Sequence, residues 1–189
     1  MTGARRLHYT YEDYLRALED SEIKLEYCDG EIYAMAGGTP THARLAASVS
    51  RLLGNSLEGR CAVYSSDLKV RIEATNLSTF PDVTVVCGEQ QLSCIDRHAV
   101  VNPTLVVEVT SASTEDYDRG EKLNHFKQCE SLRAVIFVSH RRPQLTRILR
   151  TPAGFEQREY RSGERLELTE PHLEISVDAI YAGIALDEA

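Results

Sequence analysis

A chain of 189 residues with 42% apolar side chains is long enough for one full hydrophobic core, so it reads as a single domain over 1–189 and not as a disordered tail. No apolar run reaches the length of a membrane span, and the opening MTGARRLHYTYEDYL lacks the apolar centre of a signal peptide, so the expectation is a cytoplasmic protein with no membrane partner. A net charge of −8 is unfavourable for gripping a polyanion, and five cysteines without a CxxC pair argue against a disulfide framework or a zinc ribbon and read as buried thiols.

Thr10 is placed to open a short helix, TYEDYLRALED, whose Tyr14, Leu15 and Leu18 share a side and whose expected role is to cover a sheet edge. IKLEYC and EIYAMA flank Asp29-Gly30, the strongest short hairpin signal in the chain. Alternation sets Glu26 opposite Leu25 and Tyr27, either as an accessory carboxylate or as an exposed strand residue. After the breaker run GGTPT, residues 41 to 58 form the longest helical pattern, with Leu45, Val49, Leu52, Leu53 and Leu57 at helix spacing. His42 heads that line at the inward corner of the helix start, where it can contact a phosphate, a water or a carboxylate, or simply pack.

CAVYSSDLKVRIEA reads as one or two strands, with Asp67 and Lys69 on a half-exposed face. FPDVTVV then enters a buried strand just after Asp82, and GEQQLSCIDRHAVVNP connects without a clear period. Cys94 and His98 in that connector read as structural, since two metal-ligand types without a second pair are weak. In LVVEVT, alternation puts Leu105, Val107 and Val109 on one face and Val106, Glu108 and Thr110 on the other, which sinks Glu108 into a buried strand. A lone ionised carboxylate there costs several kcal/mol or more, so it is protonated, paired, or holding a cation. With Asp82 on a neighbouring strand, the cation reading has a partner, and two carboxylates suit Mg2+ or Mn2+.

A helix from Thr114 to about Glu130 follows, capped by Ser113 or Thr114, with Glu115, Asp116 and Asp118 in its first turn and Lys122 four residues after Asp118. Phe126 and Cys129 continue the Lys122 line, so the lysine starts on the flank of a packed face and points back to the strand ends. Two acids and a lysine suit metal-assisted phosphodiester hydrolysis, because a cation polarises the phosphoryl oxygen while an ammonium steadies charge in the transition state. The plain alternative is a buried ion pair between Glu108 and Lys122. RAVIFVSH reads as a buried strand parallel to LVVEVT, and the remainder as a strand-rich tail with turns at Pro152-Ala153-Gly154 and Ser162-Gly163 and a closing helix near SVDAIYAGI. In that tail seven arginines from Arg141 to Arg165 outnumber Glu156, Glu159 and Glu164, forming either a surface for phosphates or a solvated hairpin face.

PDVTVV followed by LVVEVTSASTEDYDRGEK resembles the Uma-two-type family of restriction endonucleases, within the PD-(D/E)XK nuclease superfamily. KLEYCDGEIYAMAG and THARLAASVSRLL are similar to that family's opening, so the resemblance spans roughly residues 10 to 140. It implies an α/β fold with a restriction-endonuclease-like core, a mixed central sheet flanked by helices and a strand-rich C-terminal portion. It further implies Asp82 and Glu108 as metal ligands, Lys122 as the catalytic lysine moved from strand to helix, and Glu26 and His42 as site members. The expected activity is Mg-dependent cutting of nucleic acid, most simply DNA, with a homodimer as a further option. The alternative is a non-catalytic binding or assembly module that keeps the nuclease fold.

Overall fold

The computed structural model describes residues 8–35 and 37–186; the reading of the N-terminus as free of a signal peptide falls in part on residues 1–7, outside the described residues. Helix α1 (Tyr11–Asp20) starts at a capping box, in which the Asp13 amide donates to the Thr10 hydroxyl and the Thr10 amide donates to Asp13 at 2.9 Å. The hairpin of β1 (Leu25–Cys28) and β2 (Glu31–Ala34) turns on Asp29 (φ 42°) and Gly30 (φ 94°), the left-handed pair that Asp-Gly supplies for a two-residue turn. Helix α2 (Pro40–Leu57) buries Leu45, Val49, Leu53 and Leu57, with Leu52 at the margin of the stripe.

The strands that follow are β3 (Cys61–Ser65), β4 (Lys69–Ile72), β5 (Leu77–Thr79), β6 (Val83–Cys87), β7 (Ala99–Val100), β8 (Leu105–Val109), β9 (Ala134–Val138), β10 (Gln144–Thr151) and β11 (Gly154–Arg161). A closing hairpin, β12 (Arg165–Thr169) with β13 (His172–Ser176), precedes α5 (Val177–Tyr181). Between β8 and β9 the chain makes a short helical turn α3 (Glu115–Tyr117), a π turn at Asp118–Lys122, and α4 (Leu123–Lys127).

Six strands form a mixed sheet in the order β11-β10-β9-β8-β6-β3, with β8 and β9 parallel and the other pairs antiparallel. Five form a second sheet, β2-β1-β5-β4-β7. One face of the six-stranded sheet, carrying Leu105, Val107 and Val109, packs on α2, the closing hairpin and α5. Its other face carries Val106 and meets Cys28, Val70, Ile72 and Leu77 of the five-stranded sheet, together with Leu123 and Phe126 of α4. Tyr11 and Tyr14 of α1 stack with Tyr27 on the outer side of that second sheet, at ring separations of 5.3 to 5.4 Å. Side chains that alternate with Tyr27 and Val107 are therefore driven into the layer between the two sheets.

Several expectations are corrected. Helix α1 covers the face of the five-stranded sheet and not an edge, because β1 is an interior strand and the tyrosines need its flat surface. The cysteines are not uniformly buried thiols: Cys61 and Cys87 sit directly across the β3–β6 pair with Cα atoms 4.2 Å apart and are disulfide-bonded, while Cys94 is exposed. Lys69 is buried rather than half-exposed, since Asp96 from the connector meets its ammonium at 2.6 Å. Neither Ser113 nor Thr114 caps the helix with its side chain; the Ser111 hydroxyl accepts from the Thr114 amide at 3.2 Å.

Candidate active site

The register of β6 against β8 pairs Val83 with Val107, and its continuation sets Asp82 across from Glu108 at the strand ends. Glu108 alternates with Val107, so it faces the layer between the sheets; Glu26 alternates with Tyr27 on β1 and enters the same layer from the opposite side. The π turn brings Lys122 between them. Its Nζ lies 2.8 Å from Glu108 Oε1, 3.5 Å from Glu26 Oε1 and 3.8 Å from Asp118 Oδ1. All four side chains are buried, with Glu108 and Lys122 each 4% exposed. Glu26 is held in place by the Thr79 hydroxyl and by the Phe80 amide, which donates at 3.3 Å.

Asp82 is more accessible. Its Oδ2 accepts from the Val109 amide at 2.7 Å, which ties the carboxylate to the neighbouring strand, and His42 Nε2 lies 3.3 Å from the same oxygen. The Thr39 hydroxyl caps α2 by accepting from the His42 amide at 3.2 Å, so the imidazole is presented from the first helical turn. Gly38 closes over it: a Cβ at that position would lie 2.7 Å from His42 Nδ1. Glu26, His42, Asp82, Glu108, Asp118 and Lys122 all open on one cavity of about 510 Å3. The five residues singled out from the sequence are thus brought together. Asp118, whose spacing from Glu108 and Lys122 belongs to the sequence motif although it is not among the site members expected from it, joins them.

Charge is unbalanced here. Burial pushes Glu108 up to about 8; the Lys122 ammonium opposes this, and the carboxylates of Asp82 and Asp118 add to it. Asp118 is also raised, by burial first and against the pull of Lys122. Burial alone would lower Lys122, but Glu108, Glu26 and Asp118 outweigh it and hold the ammonium charged. The hydrogen bond to Asp82 raises His42 against the opposing effect of burial. Glu26, Asp82, Glu108 and Asp118, with Glu121 also lining the cavity, face one lysine and one histidine, and this surplus of carboxylate is relieved by a proton or by a cation.

The donor chemistry fits a hard divalent ion. Glu108 Oε1 is buried with the ammonium as an ion partner and no hydrogen bond, and both candidate ligands offer carboxylate oxygen. Among the described residues no group of three His, Cys or acidic side chains that includes Asp82 and Glu108 has all its donor atoms within 4.8 Å of one another. Elsewhere, the arginine-rich tail is largely paired: Arg158 meets Glu164 at 4.0 Å, Arg161 meets Glu159 at 3.6 Å, and Arg165 meets Glu174.

A mixed sheet flanked by helices, with a strand-rich C-terminal part, defines a restriction-endonuclease-like α/β protein. The chain belongs to the Uma2 family, described as "putative restriction endonuclease", whose family model it matches over residues 11–179. It is 37% identical over 176 residues to an uncharacterized protein of Synechocystis sp., with 92% of each chain covered. A second uncharacterized protein of Synechocystis sp. is 30% identical over 130 residues, which cover 68% of this chain and 73% of that one. The crystal structure of a putative nuclease from Anabaena variabilis shares the fold at a TM-score of 0.75 and 13% identity, covering 93% of this chain and 99% of that chain. Among the described residues no helix is long and apolar enough to cross a membrane.

Proposed function

We propose that this chain is a divalent-metal-dependent endonuclease that hydrolyses phosphodiester bonds in nucleic acid, with DNA as the substrate. The observation that carries the reading is the buried surplus of carboxylate around Lys122: Glu108 at 2.8 Å, Glu26 at 3.5 Å and Asp118 at 3.8 Å, with Asp82 across the register. Asp82 and Glu108 would hold Mg2+ or Mn2+, which when bound supplies Lewis-acid polarisation of the phosphate and acidifies water. Glu108, Glu26 and Asp118 favour the charged form of Lys122, which suits it to orient the attacking water or to steady phosphate oxygens. Glu26 fixes the ammonium from the opposite sheet, and His42 orients Asp82 and faces the entrance. Cutting of both strands by a pair of chains belongs to the same reading and is checked by sedimentation on duplex DNA.

The 2.8 Å contact favours a second reading as well, in which Glu108 and Lys122 are an ion pair joining β8 to the π turn of a non-catalytic binding module. Cleavage of supercoiled plasmid and of single-stranded DNA and RNA, with Mg2+, Mn2+ or chelator, separates the two. The nuclease reading expects metal-dependent cutting in the wild type, lost in Glu108→Gln and in Lys122→Ala. Equal traces with and without metal in the wild type, on every substrate, would overturn it in favour of the binding module.

A further inference from the structure

Cys28, Glu121 and His125 form a second cluster, with donor chemistry unlike that of the carboxylate site. Cys28 Sγ is 3.4 Å from His125 Nε2, and that nitrogen is 4.0 Å from Glu121 Oε1. The sulfur, nitrogen and carboxylate oxygen all lie within 4.8 Å of one another, and among the described residues no other three His, Cys or acidic side chains come so close. Backbone geometry sets this up. Cys28 lies two residues beyond Glu26 on β1 and so faces the same layer, while Glu121 and His125 are one helical turn apart across the end of the π turn.

We infer that Cys28, Glu121 and His125 form a three-ligand site for a zinc-class ion, with water in the fourth position. A tetrahedral ion with Zn–S near 2.3 Å and Zn–N near 2.05 Å holds its sulfur and nitrogen about 3.6 Å apart, and two nitrogen or oxygen ligands about 3.4 Å apart. The sulfur–nitrogen separation already matches. Glu121 must close on the nitrogen by roughly half an ångström, and its side chain is 67% exposed and free to swing towards both partners. The imidazole presents Nε2, and not Nδ1, to the Cys28 sulfur and the Glu121 carboxylate. Cys28 is buried but at the rim, whereas Glu121 lines the cavity and gives an ion a route in from solvent.

Sulfur and imidazole select a softer ion than Asp82 and Glu108 do, so the two sites are chemically distinct. Burial raises the Cys28 thiol to about 11, and the carboxylates of Glu121 and Asp29 add to it, so the sulfur is protonated before loading. Binding forms one metal–sulfur bond and releases that one proton to solvent. A loaded ion ties the strand that carries Glu26 to the segment that carries Lys122, so it stiffens the spacing between them. The inference stands whether or not the chain cuts nucleic acid.

Cobalt(II) is the probe, because a bound thiolate gives a sulfur-to-cobalt charge-transfer band that carboxylates cannot mimic. The full chain, titrated with Co2+ without reductant, is expected to show that band at one equivalent, and Zn2+ is expected to bleach it. Cys94→Ser keeps the band. Cys28→Ser loses it while retaining the wild-type far-ultraviolet dichroism, and His125→Ala weakens cobalt binding by at least tenfold. The inference is overturned if the wild type shows no band, if the band survives in Cys28→Ser, or if His125→Ala binds cobalt as tightly as the wild type does.

Discussion

Replacing Lys122 by Met removes the ammonium that faces Glu108, Glu26 and Asp118 at 2.8, 3.5 and 3.8 Å, and leaves a side chain of similar length. Breaking a buried ion pair by deleting one partner costs about 3–5 kcal/mol when the other charge stays buried. Glu108 has an escape, since burial already pushes it up to about 8 and it can take a proton near neutral pH. The lower end, about 3 kcal/mol, is therefore expected at pH 7, and for a chain of this size that lowers Tm by roughly 6–12 °C. Glu108→Gln in the same background removes the stranded acid, so the double variant should recover about 1–2 kcal/mol relative to the sum of the single effects. Thermal and urea unfolding of the four proteins in chelator, without divalent ions, measures this. A double variant whose loss equals the sum of the two single losses would refute the coupling, and with it the claim that Lys122 balances Glu108.

Saturating Mn2+ at about 100 times its dissociation constant should stabilise the wild type by roughly 2.7 kcal/mol, and calorimetry should find that gain gone in Asp82→Asn and Glu108→Gln. Burial works to raise Asp96, but hydrogen bonds from Lys69, Tyr11 and the His98 amide outweigh it and hold the carboxyl below its ordinary range. A depressed folded value means stability that is present above the unfolded pKa of about 3.9 and lost as pH falls through the lower folded value. Urea midpoints between pH 6 and 2 should therefore fall less steeply on the acid limb in Asp96→Asn than in the wild type. Cys61 and Cys87 are separated by 26 residues, and opening a loop of that length costs about 3–4 kcal/mol in chain entropy, so Cys61→Ser with Cys87→Ser should melt well below the wild type when both are scanned oxidised. Because Arg158, Arg161 and Arg165 are paired with glutamates, duplex binding measured in Ca2+ should depend weakly on salt, with a logarithmic slope of about −3 or shallower; a slope near −6 would mean that those pairs open to phosphates.

Alternation made much of the fold legible. The period-two pattern of LVVEVT assigns Glu108 to the face opposite Leu105, Val107 and Val109, and those faces do meet different layers. Asp29-Gly30 marked the first hairpin, and the leucine stripe of α2 marked the longest helix. What escaped depended on pairing between distant segments. The partner of Lys69 is Asp96, from a connector with no period, so nothing local to Lys69 announced its burial. The Cys61–Cys87 bond follows from the β3–β6 register, which a cysteine count cannot supply.

The π turn was the least legible feature, and it is the one that shapes the cluster. A regular helix from Thr114 would keep every residue on a 100° spacing, and Asp118 and Lys122 would simply stack as an i,i+4 pair. One wide turn at Asp118–Lys122 delays the face by about one residue, so Asp118 and Lys122 both remain buried while Glu121 faces the cavity and Leu123 and Phe126 still reach the core. Such a slip leaves no compositional mark. The chain shows Gly120 at its centre, but a lone glycine inside a helical run does not distinguish a wide turn from a merely weakened one. Burial of the Lys122 ammonium is offset by the carboxylates of Glu108 and Glu26, whereas Glu26 and Asp82 work against ionised Asp118, whose counter-charge is Lys122. The helix irregularity and the charge cluster therefore coincide in space: the wide turn ends on Lys122, whose ammonium lies between Glu26 of β1 and Glu108 of β8.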